Sequence, residues 1–389
     1  MRSCTQVPNG STVFLRAGMD VPLGNGLITD TSRIDETRPT IDLLRSKGCK
    51  IVVAIKVGRP KGVDLSLSTK PIANYLAKSY PCKYVNAISG SQVTAEIKLL
   101  NPGELLVTEN LFFDGREVMN DATLAQELIK DCDCIVQEAY SSGHRAQASI
   151  VGVNDYKPAY AGLLLEKEIA MVGKLLHAEH PYMAIIGGAK ADKLSTIQGL
   201  LPKVDTILIG GALANTFLKA LGYMVGESKY DESGLALAAE LYKSGKIIIP
   251  VDAVVADTFA EDSPSRILPI GVVTRGMILD IGPETQHRYV QVLSRARTIV
   301  WAGPIGVFEW SAFSEGTRNI AAAVALSGAY TLAAGGDSGA ALVALGYKDN
   351  ISHVSTGGGV TLEVLEGKTL PVVTSLLANE IKFPSTGNN

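Results

Sequence analysis

Met183-Ala184-Ile185-Ile186-Gly187-Gly188-Ala189-Lys190 is an unbroken apolar run that stops on two glycines and a lysine. A strand buried on both faces reads this way, continuous rather than alternating, and such strands belong to parallel sheets covered by helices. Ile51-Val52-Val53-Ala54-Ile55 repeats the pattern. Strands are expected at 12–15, 50–55, 105–108, 134–136, 183–186, 206–209, 246–249, 298–301 and 330–333. Helical patterns at 37–47, 123–131 and 314–326 lie between them. Alternation of this kind, with right-handed crossovers, makes parallel sheets. One strong helical stretch, Tyr160-Ala161-Gly162-Leu163-Leu164-Leu165-Glu166-Lys167-Glu168-Ile169, separates two sets of strands and marks a domain junction. The expected fold is α/β: two lobes, each a parallel sheet flanked by helices, joined by a hinge helix.

Bulk properties narrow the function. A length of 389 residues suits about two domains. A hydrophobic share of 46% excludes a disordered chain. With 36 Lys+Arg against 39 Asp+Glu, the net charge of −3 excludes a nucleic-acid binder that works by bulk positive potential. No run reaches the ~18 apolar residues of a membrane helix. The start, Met1-Arg2-Ser3-Cys4-Thr5-Gln6, lacks a secretory apolar core. Five cysteines, with Cys132-Asp133-Cys134 unaccompanied by a second pair, fit thiols of a reducing cytoplasm rather than disulfides or a metal site. The tail, 384–389, is expected to fray.

Glycine clusters follow the apolar runs of the second half: Gly187-Gly188, Gly210-Gly211, Gly303-Pro304-Ile305-Gly306, Gly335-Gly336-Asp337 and Gly357-Gly358-Gly359. At the carboxyl ends of parallel strands, glycines can present backbone N–H groups, and helix starts add positive potential for phosphate. Any one cluster could be an ordinary turn; five together point to an anion site. No G-x-x-x-x-G-K-[ST] and no strand-placed G-x-G-x-x-G is present, which disfavours Walker-type and Rossmann nucleotide sites. Lys190 and Lys193 share one face of a first helical turn, where cations oppose the helix dipole. An anion between them and a solvated pair are both open readings. Asp337 is read either as an N-cap or as a holder of Mg²⁺ on phosphate oxygens.

Ordered blocks then carry a resemblance. Val21-Pro22-Leu23, Gly58-Arg59-Pro60, Glu109-Asn110-Leu111, His144-Arg145-Ala146, Leu279-Asp280-Ile281-Gly282-Pro283, Gly306-Val307-Phe308-Glu309, Gly335-Gly336-Asp337 and Ser352-His353-Val354-Ser355-Thr356-Gly357-Gly358-Gly359 make the chain resemble the phosphoglycerate kinase family over nearly its whole length. The resemblance implies an acid-binding lobe over 1–172, completed by the tail 376–389, and a nucleotide-binding lobe over 173–375. It implies transfer of the ATP γ-phosphoryl group to a carboxylate, giving an acyl phosphate. The default reaction is 3-phosphoglycerate with ATP to 1,3-bisphosphoglycerate and ADP, reversibly. A different carboxylic acid is the alternative, and a nucleotide-binding pseudo-kinase the third reading. ATP/ADP and Mg²⁺ are the implied co-substrate and cofactor. The partners are small molecules only, with no nucleic acid and no membrane, on a cytoplasmic monomer.

Roles follow from the same resemblance. Arg33 and Lys190 would stabilise charge on the moving phosphoryl group, and Gly335 and Gly336 would offer it N–H groups. Lys193 would meet the nucleotide phosphates or the acyl phosphate. Asp337, with Ser338 beside it, would serve the nucleotide and its Mg²⁺. Gly188, Ala189, Gly210, Gly211, Pro304 and Val307 would line the nucleotide pocket, with Glu309 on the ribose. Arg59 and Arg145 would bind the distal phosphate of the acid.

The departures cluster on the acid side. The family's Arg-Val-Asp-Phe-Asn-Val-Pro stands here as Arg16-Ala17-Gly18-Met19-Asp20-Val21-Pro22. Lys56 replaces a His, Phe112 replaces a phosphate-binding Arg, and Gln137-Glu138 replaces Asn-Asp. On the nucleotide side Ala302 replaces an Asn. Lys56 supplies charge without a bidentate fork; Arg116 is a second possible substitute.

Overall fold

The computed structural model describes residues 1–24, 26–188 and 193–384, in two units. The first holds Met1–Ala170 and the chain from Thr369 on; the second holds Met171–Lys368.

In the first unit the strands are β1 (Thr12–Ala17), a hairpin of β2 (Leu23–Gly24) and β3 (Leu27–Ile28), β4 (Lys50–Ile55), β5 (Cys82–Tyr84), β6 (Leu105–Val107), β7 (Cys134–Gln137) and β8 (Ala159–Ala161). Six of them form one parallel sheet in the order β5-β6-β4-β1-β7-β8. All but the first residue of β1 and of β4 is buried, which is why both read as apolar runs. Arg16, at 0% exposure inside β1, is the exception. Val13, Leu15, Ile51, Val53 and Val136 pack with Ile41 and Leu44 of the Ser32–Ser46 helix into one core. The C-terminal Pro371–Lys382 helix belongs to this unit. Its buried Asn379 accepts from the Ala159 N–H at 2.8 Å and donates to the Lys157 carbonyl at 2.8 Å.

The second unit contains β9 (Tyr182–Ile186), β10 (Thr206–Ile209), β11 (Ile247–Ile248), β12 (Asp252–Ala256), β13 (Ser265–Pro269), β14 (Met277–Ile281), β15 (Thr298–Ala302), β16 (Tyr330–Ala334) and β17 (His353–Ser355). Its main sheet is parallel, in the order β11-β10-β9-β15-β16-β17. The nine expected strands all fall in these two sheets. The second unit adds an antiparallel sheet, β13-β12-β14, which the expectation of parallel sheets omitted. The link from β12 to β13 is too short for the helical crossover that a parallel pair needs.

The expected helix over 160–169 is corrected at its start. Ala159–Ala161 is strand β8, paired with Ile135–Gln137, and the helix is Leu163–Leu176. It begins in the first unit and ends in the second. Gly162 makes the change of direction. A Cβ there would lie 1.9 Å from an oxygen of the Glu138 carboxyl group. Among the described residues no helix is long and apolar enough to cross a membrane. All five cysteines are free thiols. Residues 385–389, expected to fray, lie outside the described residues.

Glu138 is fully buried beneath the start of the Leu163–Leu176 helix. It accepts from Thr40 Oγ1, from the Leu164 N–H at 3.2 Å and from the Leu165 N–H at 3.4 Å. Burial outweighs these bonds and pushes its carboxyl up to about 8. The folded chain therefore keeps a proton, between the ordinary value of 4.5 and about 8, that the unfolded chain has lost. This group's contribution to stability is complete at low pH and falls as pH rises through that window. In Glu138→Gln, the decline of Tm between about pH 5 and 8 should be shallower than in the parent. Thermal scans across that range check it; an identical decline would contradict a protonated Glu138.

Candidate functional site

Each sheet reverses its winding at a central pair of strands, β1 with β7 and β9 with β15. Loops leave such a pair in opposite directions at the carboxyl edge, and ligands of open α/β sheets bind in the crevice between them.

In the first unit, Asp20 follows β1, Lys56 follows β4, Phe112 follows β6 and Arg145 follows β7. The Lys56 ammonium pairs with Asp20 Oδ2, and Gly58 N–H donates to Asp20 Oδ1 at 2.9 Å. Lys56 Nζ stands 5.6 Å from the centroid of the Phe112 ring, and Phe112 is 9% exposed. Burial lowers the Lys56 ammonium, Asp20 raises it, and Arg16 and Arg145 lower it further; the net direction is down. Arg33 donates from Nη1 to the Asp20 backbone carbonyl at 2.8 Å, which fixes the first turn of the Ser32–Ser46 helix to the loop after β1. Gly18 lies against the loop after β7: a Cβ there would be 3.3 Å from Ala139 Cα. Arg145 is half-buried and Arg59 exposed.

Arg16 is a further cation of this edge. Its Nε donates to Ser149 Oγ at 2.8 Å and its Nη1 to the Ala17 carbonyl at 2.7 Å, while Nη2 is buried without a hydrogen-bond partner among the described residues. Ser149 Oγ donates to Glu117 Oε1 at 2.6 Å. Arg116, the second possible substitute for an arginine at 112, is engaged elsewhere by carboxylates. It is held by Asp114 at 2.7 Å and Glu127 at 3.0 Å.

In the second unit, the carboxyl edge surrounds a cavity of about 660 Å³. Gly188, Gly211, Pro304, Val307, Glu309 and Asp337, all named in the sequence analysis, line it. Asn215, Lys229, Phe259, Met277 and Asp280 line it too, and no motif pointed to them. Asn215 is 1% exposed, and among the described residues its Oδ1 has no hydrogen-bond partner. Asp280 is buried against Gly316 N–H at 2.6 Å, and burial pushes its carboxyl up to about 7.

The glycines here hold loops together. Gly187 N–H donates to the Ala302 carbonyl at 2.9 Å, Gly188 N–H to Pro304 at 2.8 Å and Gly211 N–H to Ile305 at 2.6 Å. Those N–H groups are therefore engaged within the protein, which corrects the expectation that these turns present them to an anion. Ser338 is also engaged: its Oγ accepts from Gly303 N–H at 2.6 Å and donates to the Ala334 carbonyl at 3.1 Å, at 0% exposure. Ala302 is buried in β15, and Gly210 abuts Ile305. The Gly336–Ala344 helix starts at the cavity with Gly335 at φ 106° before it. Its first N–H groups have no intrahelical acceptor. Lys193 opens the Lys193–Leu200 helix and is 8% exposed. Lys190 and Ala189 lie outside the described residues.

The phosphoglycerate kinase family model matches residues 5–368. A phosphoglycerate kinase of Moorella thermoacetica is 45% identical over 95% of this chain and 96% of its own length. That of Deinococcus radiodurans is 43% identical over 94% and 92%. The solved phosphoglycerate kinase of Pyrococcus horikoshii superposes with a TM-score of 0.89 at 31% identity, covering 98% of this chain and all of that one. That of Coxiella burnetii gives a TM-score of 0.85 at 37% identity over 95% and 97%. The chain belongs to the phosphoglycerate kinase family.

One feature of this phosphoglycerate kinase family chain is open to direct test. A Cβ on residue 187 would lie 2.1 Å from the Pro304 carbonyl oxygen, so backbone has to move. Gly187→Ala should cost about 1–3 kcal/mol of stability and weaken ATP binding. Urea unfolding and calorimetric titration of the intact chain check both. A variant of parental stability and affinity would show that the two loops are not a fixed floor.

Proposed function

We propose that the chain transfers the γ-phosphoryl group of ATP to the carboxylate of 3-phosphoglycerate, forming 1,3-bisphosphoglycerate and ADP reversibly. It is a phosphotransferase with a carboxyl group as acceptor. The observation that carries the reading is the family match over residues 5–368, together with a large cavity at the switch point of the second sheet. High identity across nearly the whole chain disfavours a different acid.

Phosphoryl transfer asks the protein for position and charge rather than covalent chemistry. In this reading the first unit binds the acid and the second the nucleotide. Arg33 commits one of its five N–H donors to the Asp20 carbonyl and faces the transferring group with the others. Lys190 joins it. Arg145 and Arg59 hold the distal phosphate of the acid. Gly188, Gly211, Pro304, Val307 and Glu309 enclose the nucleoside, while Lys193 and the helix start at Gly335-Gly336 receive its phosphates. Asp337 fits Mg²⁺ borne by the nucleotide: one carboxylate plus phosphate oxygens is a usual Mg²⁺ donor set. No group of three or more His, Cys, Asp or Glu able to hold a resident metal occurs among the described residues. Bound Mg²⁺ neutralises phosphate charge. The five thiols support a reducing, cytoplasmic setting, and the reaction needs no partner beyond its two substrates.

A coupled assay with ATP, Mg²⁺ and 3-phosphoglycerate should show turnover at micromolar-to-millimolar substrate. Arg33→Ala and Lys190→Ala should each lower kcat by about 100-fold or more while ATP still binds. Absence of turnover in the parent would overturn the reading, and full activity in both variants would overturn the assigned roles.

A further inference from the structure

The Asp280 carboxyl group stands where three parts of the second unit meet. Asp280 is the residue before last of β14 and is 2% exposed. Its Oδ1 accepts from the Ile281 N–H at 2.9 Å. Its Oδ2 accepts at 2.6 Å from the N–H of Gly316, in the first turn of the Glu315–Leu326 helix. A Cβ on residue 306 would lie 2.2 Å from Asp280 Oδ1, and a Cβ on residue 316 would lie 2.1 Å from it. Both positions are glycine, so the carboxyl group fills the gap between the helix start and the 303–309 loop that follows β15.

We propose that Asp280 is a positioning residue for the nucleotide: its carboxyl group, wedged between Gly306 and Gly316, holds the 303–309 loop in the shape that encloses the nucleoside. This rests on the reading of the second unit as the nucleotide-binding lobe.

Two anchors converge on that loop. Val307 N–H donates at 2.9 Å to the carbonyl of Leu279, the residue before Asp280. The Ile305 and Gly306 N–H groups donate at 3.2 and 3.1 Å to the Oγ1 of Thr317, the residue after Gly316. Asp280 joins the two anchors, because its bond to Gly316 ties the helix start that carries Thr317 to the strand that carries Leu279. The loop so fixed supplies Pro304, Ile305, Gly306, Val307 and Glu309 to the cavity, and Asp280 lines the cavity beside them.

Charge makes this clasp conditional. Among the described residues no cation is bonded to the Asp280 carboxyl group; Glu315, from the helix, acts on it and is itself acidic. Glu309, Asp337 and Lys229 are the charged residues of the other cavity walls. Burial therefore keeps the carboxyl group neutral up to about 7. A neutral group does not repel a polyanionic nucleotide, and an ionised one does. By linkage, bound nucleotide favours the neutral form, and nucleotide affinity falls as pH rises through that value.

Calorimetric titration of the intact chain with Mg–ATP, at pH values on both sides of neutrality, compares the parent with Asp280→Ala and Asp280→Asn. Asp280→Ala loses both hydrogen bonds, and its ATP affinity at acidic pH should fall by about tenfold, with KM for 3-phosphoglycerate within about twofold of the parent. Asp280→Asn keeps one acceptor and cannot ionise. Its loss at acidic pH should be smaller, and its affinity should not share the parent's full decline at alkaline pH. Ionisation of the nucleotide itself is common to all three proteins, so the difference between the profiles belongs to residue 280. As a measurement that needs no variant to fold, carboxyl ¹³C NMR of the parent with labelled aspartate should show a midpoint near 7 that moves upward when Mg–ADP binds. Parental ATP affinity in Asp280→Ala, a parental pH profile in Asp280→Asn, or a midpoint that Mg–ADP does not move overturns the proposal, while ATP binding by the parent upholds the nucleotide lobe. A parent that binds no nucleotide overturns both.

Discussion

At the point where each sheet reverses its winding, two loops leave neighbouring parallel strands and run apart, and the backbone that remains between them must pack with almost no side chain in the gap. In the second unit this constraint is severe. The carbonyl oxygen of Pro304 occupies the place a Cβ of residue 187 would take, and the Gly187 carbonyl occupies the place a Cβ of residue 303 would take, at 2.3 Å. Trp301 Nε1 adds a bond to the Gly303 carbonyl at 2.7 Å, so the bulkiest buried side chain of β15 anchors the turn from within the core. In the first unit the same junction is milder, with Gly18 against Ala139.

A consequence is that glycine does two jobs at one edge. At 187, 188 and 211 the N–H groups bond to the opposing loop, so glycine there serves close approach. At 335 it serves direction: φ 106° lets the chain leave β16 and enter the Gly336–Ala344 helix at once. Only the second job leaves backbone donors over, because a helix start has them by construction. A cavity floor made rigid by backbone contacts, with donors supplied at a helix start, is preorganised for a polyanion without a Walker-type loop.

Much of this was legible in the sequence, for a definite reason. Strands buried on both faces produce apolar runs, and β1, β4, β9, β10, β15 and β16 are of that kind. β5 is three half-buried residues, and β8 and β17 have three residues each, too short for a pattern. β13 is largely exposed, and its antiparallel partner β12 offers an apolar run of only four residues, Ala253–Ala256. The six lining residues named from glycine turns and ordered blocks sit in turns or in the first turn of a helix. Asn215 and Asp280 sit inside regular elements and Lys229 in the chain between two helices, where one polar residue carries no signal until the fold brings it to the cavity. The contact of Asp20 with Lys56 was equally silent, since the two are far apart in sequence and meet only through the pairing of β1 with β4.

The net charge of −3 shows why bulk charge misleads about a site of this kind. The carboxyl edge of the first sheet gathers Arg16, Arg33, Lys56 and Arg145, yet a folded chain cannot bury such cations without compensation. The compensation lies behind them. Glu117 reaches Arg16 through the Ser149 hydroxyl, and Asp20 meets Lys56 directly while its backbone carbonyl takes Arg33. Burial has the largest effect on the Glu117 carboxyl and leaves it raised above the ordinary value, with the Arg16 charge and the Ser149 bonds pulling the other way. Two carboxylates set against four cations reduce the field of this edge at a distance and leave it basic at contact. A local cluster of this kind is compatible with a near-neutral surface elsewhere, which is why net charge alone does not reveal it.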